Sequence, residues 1–155
     1  MQKKVFKWIL LIIWCFVIFN FSSENGEKSE ALSKQVINNF VMTINKDTSE
    51  ETKALIINNS NYIVRKLAHF TEYFILAIFL YTLLIEYPSL KRYNYYLILL
   101  FAFVYASSDE IHQIFTQGRS ARFQDVLIDT SGALLFIIIM LLINRKKEVS
   151  LNGRN

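Results

Sequence analysis

Apolar residues run almost unbroken through four stretches of the chain, near Val5 to Phe21, Leu67 to Tyr87, Tyr93 to Phe115 and Ala121 to Ile143. As helices rising about 1.5 Å per residue, each reaches across or nearly across a hydrocarbon layer about 30 Å thick. The second stretch stops at Pro88, which has no N–H to continue a helix, and "PSLKR" turns the chain directly into the third. Tyr87, Tyr93, Tyr95 and Tyr96 gather around that turn, where amphipathic rings favour the membrane interface. Gly118 is expected to cap the third stretch and Ser120 the fourth.

A different pattern fills the loop from Ser22 to Lys66. Leu32, Val36, Ile37, Phe40, Val41 and Ile44 recur at helical spacing, and Thr48 with Glu51 makes a capping-box pattern before Leu55, Ile56 and Ile57. Two short amphipathic helices are predicted, lying on the outer leaflet or capping the bundle. The same periodicity fits an ordered lid with no ligand equally well. The expected fold is all-α, a polytopic membrane protein of four transmembrane helices, in a single domain over residues 1–155.

Composition agrees with this reading: 53% of the chain is hydrophobic, with 13 Phe and 8 Tyr but 4 Gly and 1 Pro. The net charge of +4 does not mark a nucleic-acid binder, because the bases sit in short runs beside apolar stretches. Those runs report orientation instead. Lys3, Lys4 and Lys7, then Lys91 and Arg92, then Arg145, Lys146 and Lys147 assign both termini and the tight turn to the cytoplasmic side. The long loop and the loop around Gly118 then face outward. The N-terminal stretch has the charge pattern of a signal peptide, yet "VIFNFSSENG" offers no small-residue cleavage site, which predicts an uncleaved anchor. Cys15 is the single cysteine, so no intramolecular disulfide forms, and bulky Ile13 and Trp14 rule out a lipobox.

Against this apolar background the polar residues are concentrated. "RKLAHFTEY" places Arg65, His69 and Glu72 on one helix face, and Asp125, Asp129 and Gly132 share a face of the fourth stretch. Asp109, Glu110, His112 and Gln113 occupy the last turns of the third, at the same outer end. Two aspartates four residues apart repel one another, and acids at a helix C-terminus oppose its dipole. Arg65, Lys66, Arg119 and Arg122 supply the offsetting charge. Ionisable groups in a span cost about 2.5–3.5 kcal/mol each at mid-bilayer and usually face a bundle interior or a watered cavity. An outward-opening polar pocket between the second, third and fourth stretches is therefore expected.

Three readings of that pocket stay open. Arg65, Lys66, Arg119 and Arg122 suit phosphate or carboxylate, with Gln113, Asp125 and Asp129 orienting the rest of a ligand. Alternatively His69 with Glu72, or His112 with Glu110 and neighbouring Asp109, supply acid/base chemistry on a lipid-linked substrate at the outer leaflet. In the third reading the charges only pair between helices and hold the bundle. No HExxH-like pair is present and the nearby bases compete with a cation, so no metal and no cofactor are expected.

"RKLAHFTEYFILAIFL" and "SSDEIHQIFTQGRSARFQDVLIDTSGALL" together resemble the VanZ-like family of small bacterial membrane proteins. The shared positions are Lys66, His69, Phe70, Glu72 and Tyr73, then Asp109, Glu110, His112, Gln113 and Phe115, then Gly118, Arg119, Asp125, Asp129 and Gly132. One departure is Gln117, where many relatives carry proline. The founding protein of the family is associated with resistance to the glycopeptide teicoplanin, and the family has no assigned reaction. The resemblance thus implies a cell-envelope role in the bacterial cytoplasmic membrane. Its expected partners are the bilayer and a cell-wall precursor or anionic lipid head group; the oligomeric state stays open.

Overall fold

The computed structural model describes residues 2–44 and 49–152. It contains five α-helices: α1 (Gln2–Ser23), α2 (Gly26–Ile44), α3 (Glu50–Leu84), α4 (Asn94–Gln113) and α5 (Phe123–Asn152), with a 3₁₀ turn at Pro88–Tyr93 before α4. No strand occurs among the described residues. Three helical segments, Gln2–Ser23, Glu51–Leu84 and Phe123–Lys147, are long and apolar enough to cross a membrane. The apolar centre of α4 is shorter, bounded by Asn94 at one end and by Asp109 and Glu110 near the other.

The main departure from expectation is α3. Two short outer helices were expected ahead of the second span; α2 is instead 19 residues long and the other is continuous with the span in one helix of 35 residues. No Gly or Pro interrupts residues 50–84, and the polar "NNSN" tolerates helix, so a change from polar to apolar did not end the element. At about 1.5 Å per residue α3 is about 50 Å long, well beyond a hydrocarbon core. Its first third pairs with α2, where Ser33 bonds the Asn61 side chain. Ser49 caps it, accepting from the Thr52 N–H at 3.4 Å, whereas Thr48 lies outside the described residues.

Contacts at both ends fix the direction of each helix. Lys7 near the start of α1 donates to the Thr82 carbonyl at 2.8 Å and pairs with Glu86 just beyond α3, while Trp8 donates to the Tyr87 hydroxyl at 3.0 Å. Asn144 of α5 donates to the Tyr95 hydroxyl at 2.9 Å. The start of α1, the 3₁₀ turn and the part of α5 around Asn144, with their bases, therefore share one end of the bundle. At the other end Gln113 of α4 donates to Ser22 of α1 at 2.8 Å.

Between these ends lies a core of Ile18, Tyr73, Leu76, Leu83 and Ile98, closed by small Ala77, Ala102, Ala106 and Ala133. Small residues let helices approach where lipid supplies no hydrophobic drive between them. The helices approach tightly at Gly132, where a Cβ would stand 2.1 Å from the Phe70 carbonyl oxygen. Phe6, Ile9, Ile12, Phe16, Leu142 and other large apolar side chains stay exposed, as a lipid-facing surface requires.

Candidate functional site

The end of the bundle opposite the bases is organised by the loop between α4 and α5. Gly118, at φ +74°, occupies the third position of a turn in which the Arg119 N–H donates to the Thr116 carbonyl at 3.1 Å. It therefore shapes the loop and does not cap α4, whose cap is Ile114. Ser120 does not cap α5 either, because that helix starts at Phe123 and the Asp125 N–H turns back to the Arg122 carbonyl at 2.8 Å. The loop is strapped to the α1–α2 corner: the Gly26 N–H donates to the Gln117 carbonyl at 3.2 Å, and a Cβ on Gly26 would come within 2.3 Å of the Gly118 oxygen.

Under this strap lies a cavity of about 190 Å³ lined by Tyr62, Arg65, Lys66, His69, Gln113, Gly118, Arg119, Ser120, Arg122 and Asp125. All four expected cations reach it, from α3, the loop and the start of α5. Lys66 is bound to Asp125, Nζ to Oδ2 at 2.6 Å, and its ammonium lies 5.2 Å from the centre of the Tyr62 ring. Arg119 has a structural task as well: it donates to the carbonyls of Glu24 at 3.1 Å and Phe21 at 3.3 Å, satisfying acceptors left open at the end of α1. Burial, and then the nearby Arg65, pull the Arg119 guanidinium down from an ordinary value so high that the group stays charged. Arg65 and the Arg122 guanidinium make no hydrogen bond or ion pair among the described residues.

The acids sit deeper. Glu110 is buried and its Oε2 accepts the Arg122 backbone N–H at 2.8 Å, tying α4 to the start of α5. Asp109 is buried beside Gln113, whose Nε2 is 3.4 Å from its Oδ2 and also donates to Ser22. Asp129 is buried one turn below Asp125, within electrostatic reach of His69, Asp109 and Glu110. His69 and Glu72 stand 3.3 Å apart, Nδ1 to Oε2, out of hydrogen-bond alignment, so both atoms are buried without an aligned partner. Asp125 Oδ1, on the free side of the carboxylate held by Lys66, is likewise unpartnered.

His112 is the candidate the structure sets apart. Its ring packs against Phe19 of α1 with centroids 4.6 Å apart, away from the polar cavity. Residues two apart on a helix do not share a face, so no pair with Glu110 forms. Among the described residues no three His, Cys, Asp or Glu side chains are grouped so as to hold a metal ion. Sequence reading missed Ser22, Gly26 and Tyr62. Only Tyr62 carried a local signal, four residues before Lys66 on one helix face.

A second cavity, of about 280 Å³, adjoins the first between α2 and α3 and shares Arg65, His69 and Arg119 with it. Its walls include Leu32 and Val36 of α2 and Val64 and Ala68 of α3.

Compared with known proteins, residues 6–144 match the family model described as VanZ/LLP1. No curated protein and no solved structure matches the chain.

Proposed function

The chain belongs to the VanZ/LLP1 family, and from that premise we propose a cell-envelope membrane protein whose polar cavity faces outward and binds the anionic head of a cell-wall or lipid-linked component. In this reading α4 is a fourth crossing, packed against α1, α3 and α5, and the basic end with both termini is cytoplasmic. Binding alters exposure to teicoplanin-type glycopeptides or the composition of the cell surface. The observation that carries the reading is the gathering of Arg65, Lys66, Arg119 and Arg122 at one cavity, with Arg65 and Arg122 unpaired among the described residues. Guanidinium forks suit phosphate and carboxylate, and α5 brings the positive end of its dipole to the same place. Asp125 lines the same cavity with its carboxylate held by Lys66.

The test is an in-cell comparison of wild type with Arg65→Gln and Arg122→Gln at matched membrane abundance, scoring glycopeptide susceptibility and the pool of lipid-linked wall precursors. A change in either with abundance intact is expected. Wild-type values for both in both variants would refute the reading.

A second reading is favoured by one contact. His69 reaches both cavities and has Glu72 at 3.3 Å, a pair that becomes an acid/base dyad once a ligand aligns it. Turnover of a lipid-linked substrate that is lost in Glu72→Gln, with binding retained, would support an enzyme; retained turnover would remove this dyad from consideration.

A further inference from the structure

The polar cavity and the groove beneath α2 are neighbours with opposite chemistry, joined through three shared residues. Where the first is lined by cations, the second is lined by Leu32, Val36, Val64 and Ala68, with Phe21 at one end. On α2 its wall runs from Ser29 to Val36, one face of the helix and about 10 Å along it. Leu32 and Val36 are exposed there, on a helix otherwise anchored through buried Ser33 and Ile37. The acids lining the groove are engaged: Glu24 pairs with Lys28 at 2.6 Å, and Glu72 faces His69.

We propose that the two cavities form one amphiphilic site for a single-chain lipid with a phosphate or pyrophosphate head. The head lies among Arg65, Arg119 and Arg122, and the chain follows the groove under α2. This rests on the anion-binding reading above and names the ligand class. Charge selects phosphate over carboxylate: Lys66 is neutralised by Asp125, which leaves three guanidinium groups around about 190 Å³. Arg65 stands close enough to add to the effect of burial in pulling the Arg119 guanidinium down. A carboxylate brings one negative charge to that site, whereas a phosphate monoester brings about two near neutral pH. Apolar walls select the chain, because exposed Leu32 and Val36 lose water contact when a hydrocarbon covers them.

The experiment measures binding to the full chain in phosphatidylcholine nanodiscs, with signal from empty nanodiscs subtracted. The probes are inorganic pyrophosphate and geranylgeranyl pyrophosphate, which share a head and differ by the chain. Wild type is expected to bind the chain-bearing probe at least ten-fold tighter. Ala68→Trp, which fills the groove from α3, and Val36→Asn, which makes the α2 wall polar, are each expected to bind the two probes with nearly equal affinity. Equal affinities in wild type, or a chain-dependent gain that survives in both variants, would overturn the amphiphilic site while leaving the anion cavity standing. Failure of wild type to bind either probe would overturn the anion-binding reading, and this inference with it.

Discussion

Lys66 of α3 and Asp125 of α5 meet Nζ to Oδ2 at 2.6 Å with side-chain exposures of 19% and 14%. The pair bridges two membrane-spanning helices at the mouth of the polar cavity, sheltered enough that removing one partner strands the other's charge. Lys66→Met or Asp125→Asn alone is expected to cost about 3 kcal/mol, at the low end for a buried pair because both side chains keep some exposure. The double variant is expected to recover part of that loss. Thermal unfolding in detergent checks this, and additive losses in the double variant would show that the two residues are not coupled.

Arg119 and Arg122 are neighbours in the cavity with different duties. Arg119→Ala removes two donors from the end of α1 and is expected to raise amide exchange at residues 21–26 and 114–120. Arg122→Ala removes an exposed guanidinium while its backbone N–H still reaches Glu110, so stability is expected to stay within about 0.5 kcal/mol of wild type. Exchange mass spectrometry on both variants separates the roles.

Gly132→Ala is expected to destabilise the protein by about 1–3 kcal/mol, because the added methyl overlaps the Phe70 carbonyl and forces α3 and α5 apart. Ala133→Gly serves as the neighbouring control that adds no bulk. A thermal midpoint for Gly132→Ala equal to wild type would show that the crossing has slack.

At the basic end, the hydrogen bond and charge of Lys7 hold the Glu86 carboxyl below its ordinary range. A depressed folded-state value means the contact contributes fully above the ordinary carboxylate range, near pH 4–4.5, and is lost as pH falls through the lower folded value. Trp8, bonded to the adjacent Tyr87, reports it. In a Trp14→Phe background, Trp8 emission is expected to change on acidification, at a pH that shifts with salt, and the change is expected to vanish in Glu86→Gln.

Orientation is open to direct labelling. With Cys15 replaced by Ala, a cysteine at Gln117 is expected to react with a membrane-impermeant thiol reagent on intact cells, and one at Arg92 only after permeabilisation. The reverse pattern would invert the assigned topology.

Much of this arrangement is legible in the sequence because it is carried by local patterns. Apolar run length marked the cores of α1, α3, α4 and α5, the short runs of bases marked the shared end, and spacings of three and four put Arg65, His69 and Glu72 on one face. Relationships between distant residues were not legible. Arg119 was expected to meet a ligand or to offset the nearby acids, and its bonds to the backbone at the end of α1 follow from how the loop folds back across 95 residues of chain. His112 falls in the right turn but points to Phe19, since its rotation about α4 is set by packing. The unbroken α3 was missed because burial pattern was taken to mark a helix end, when only Gly, Pro or a competing cap would have made one.

An unbroken α3 also has a mechanical consequence. A hydrogen-bonded rod of 35 residues resists bending at any single point, so its two extremities tilt together. One extremity is clasped by α2 beside the apolar groove, and two residues beyond the other stands Glu86, latched to Lys7. A shift of α3 at its α2 end is therefore carried along the rod to the Lys7–Glu86 latch rather than absorbed at a hinge.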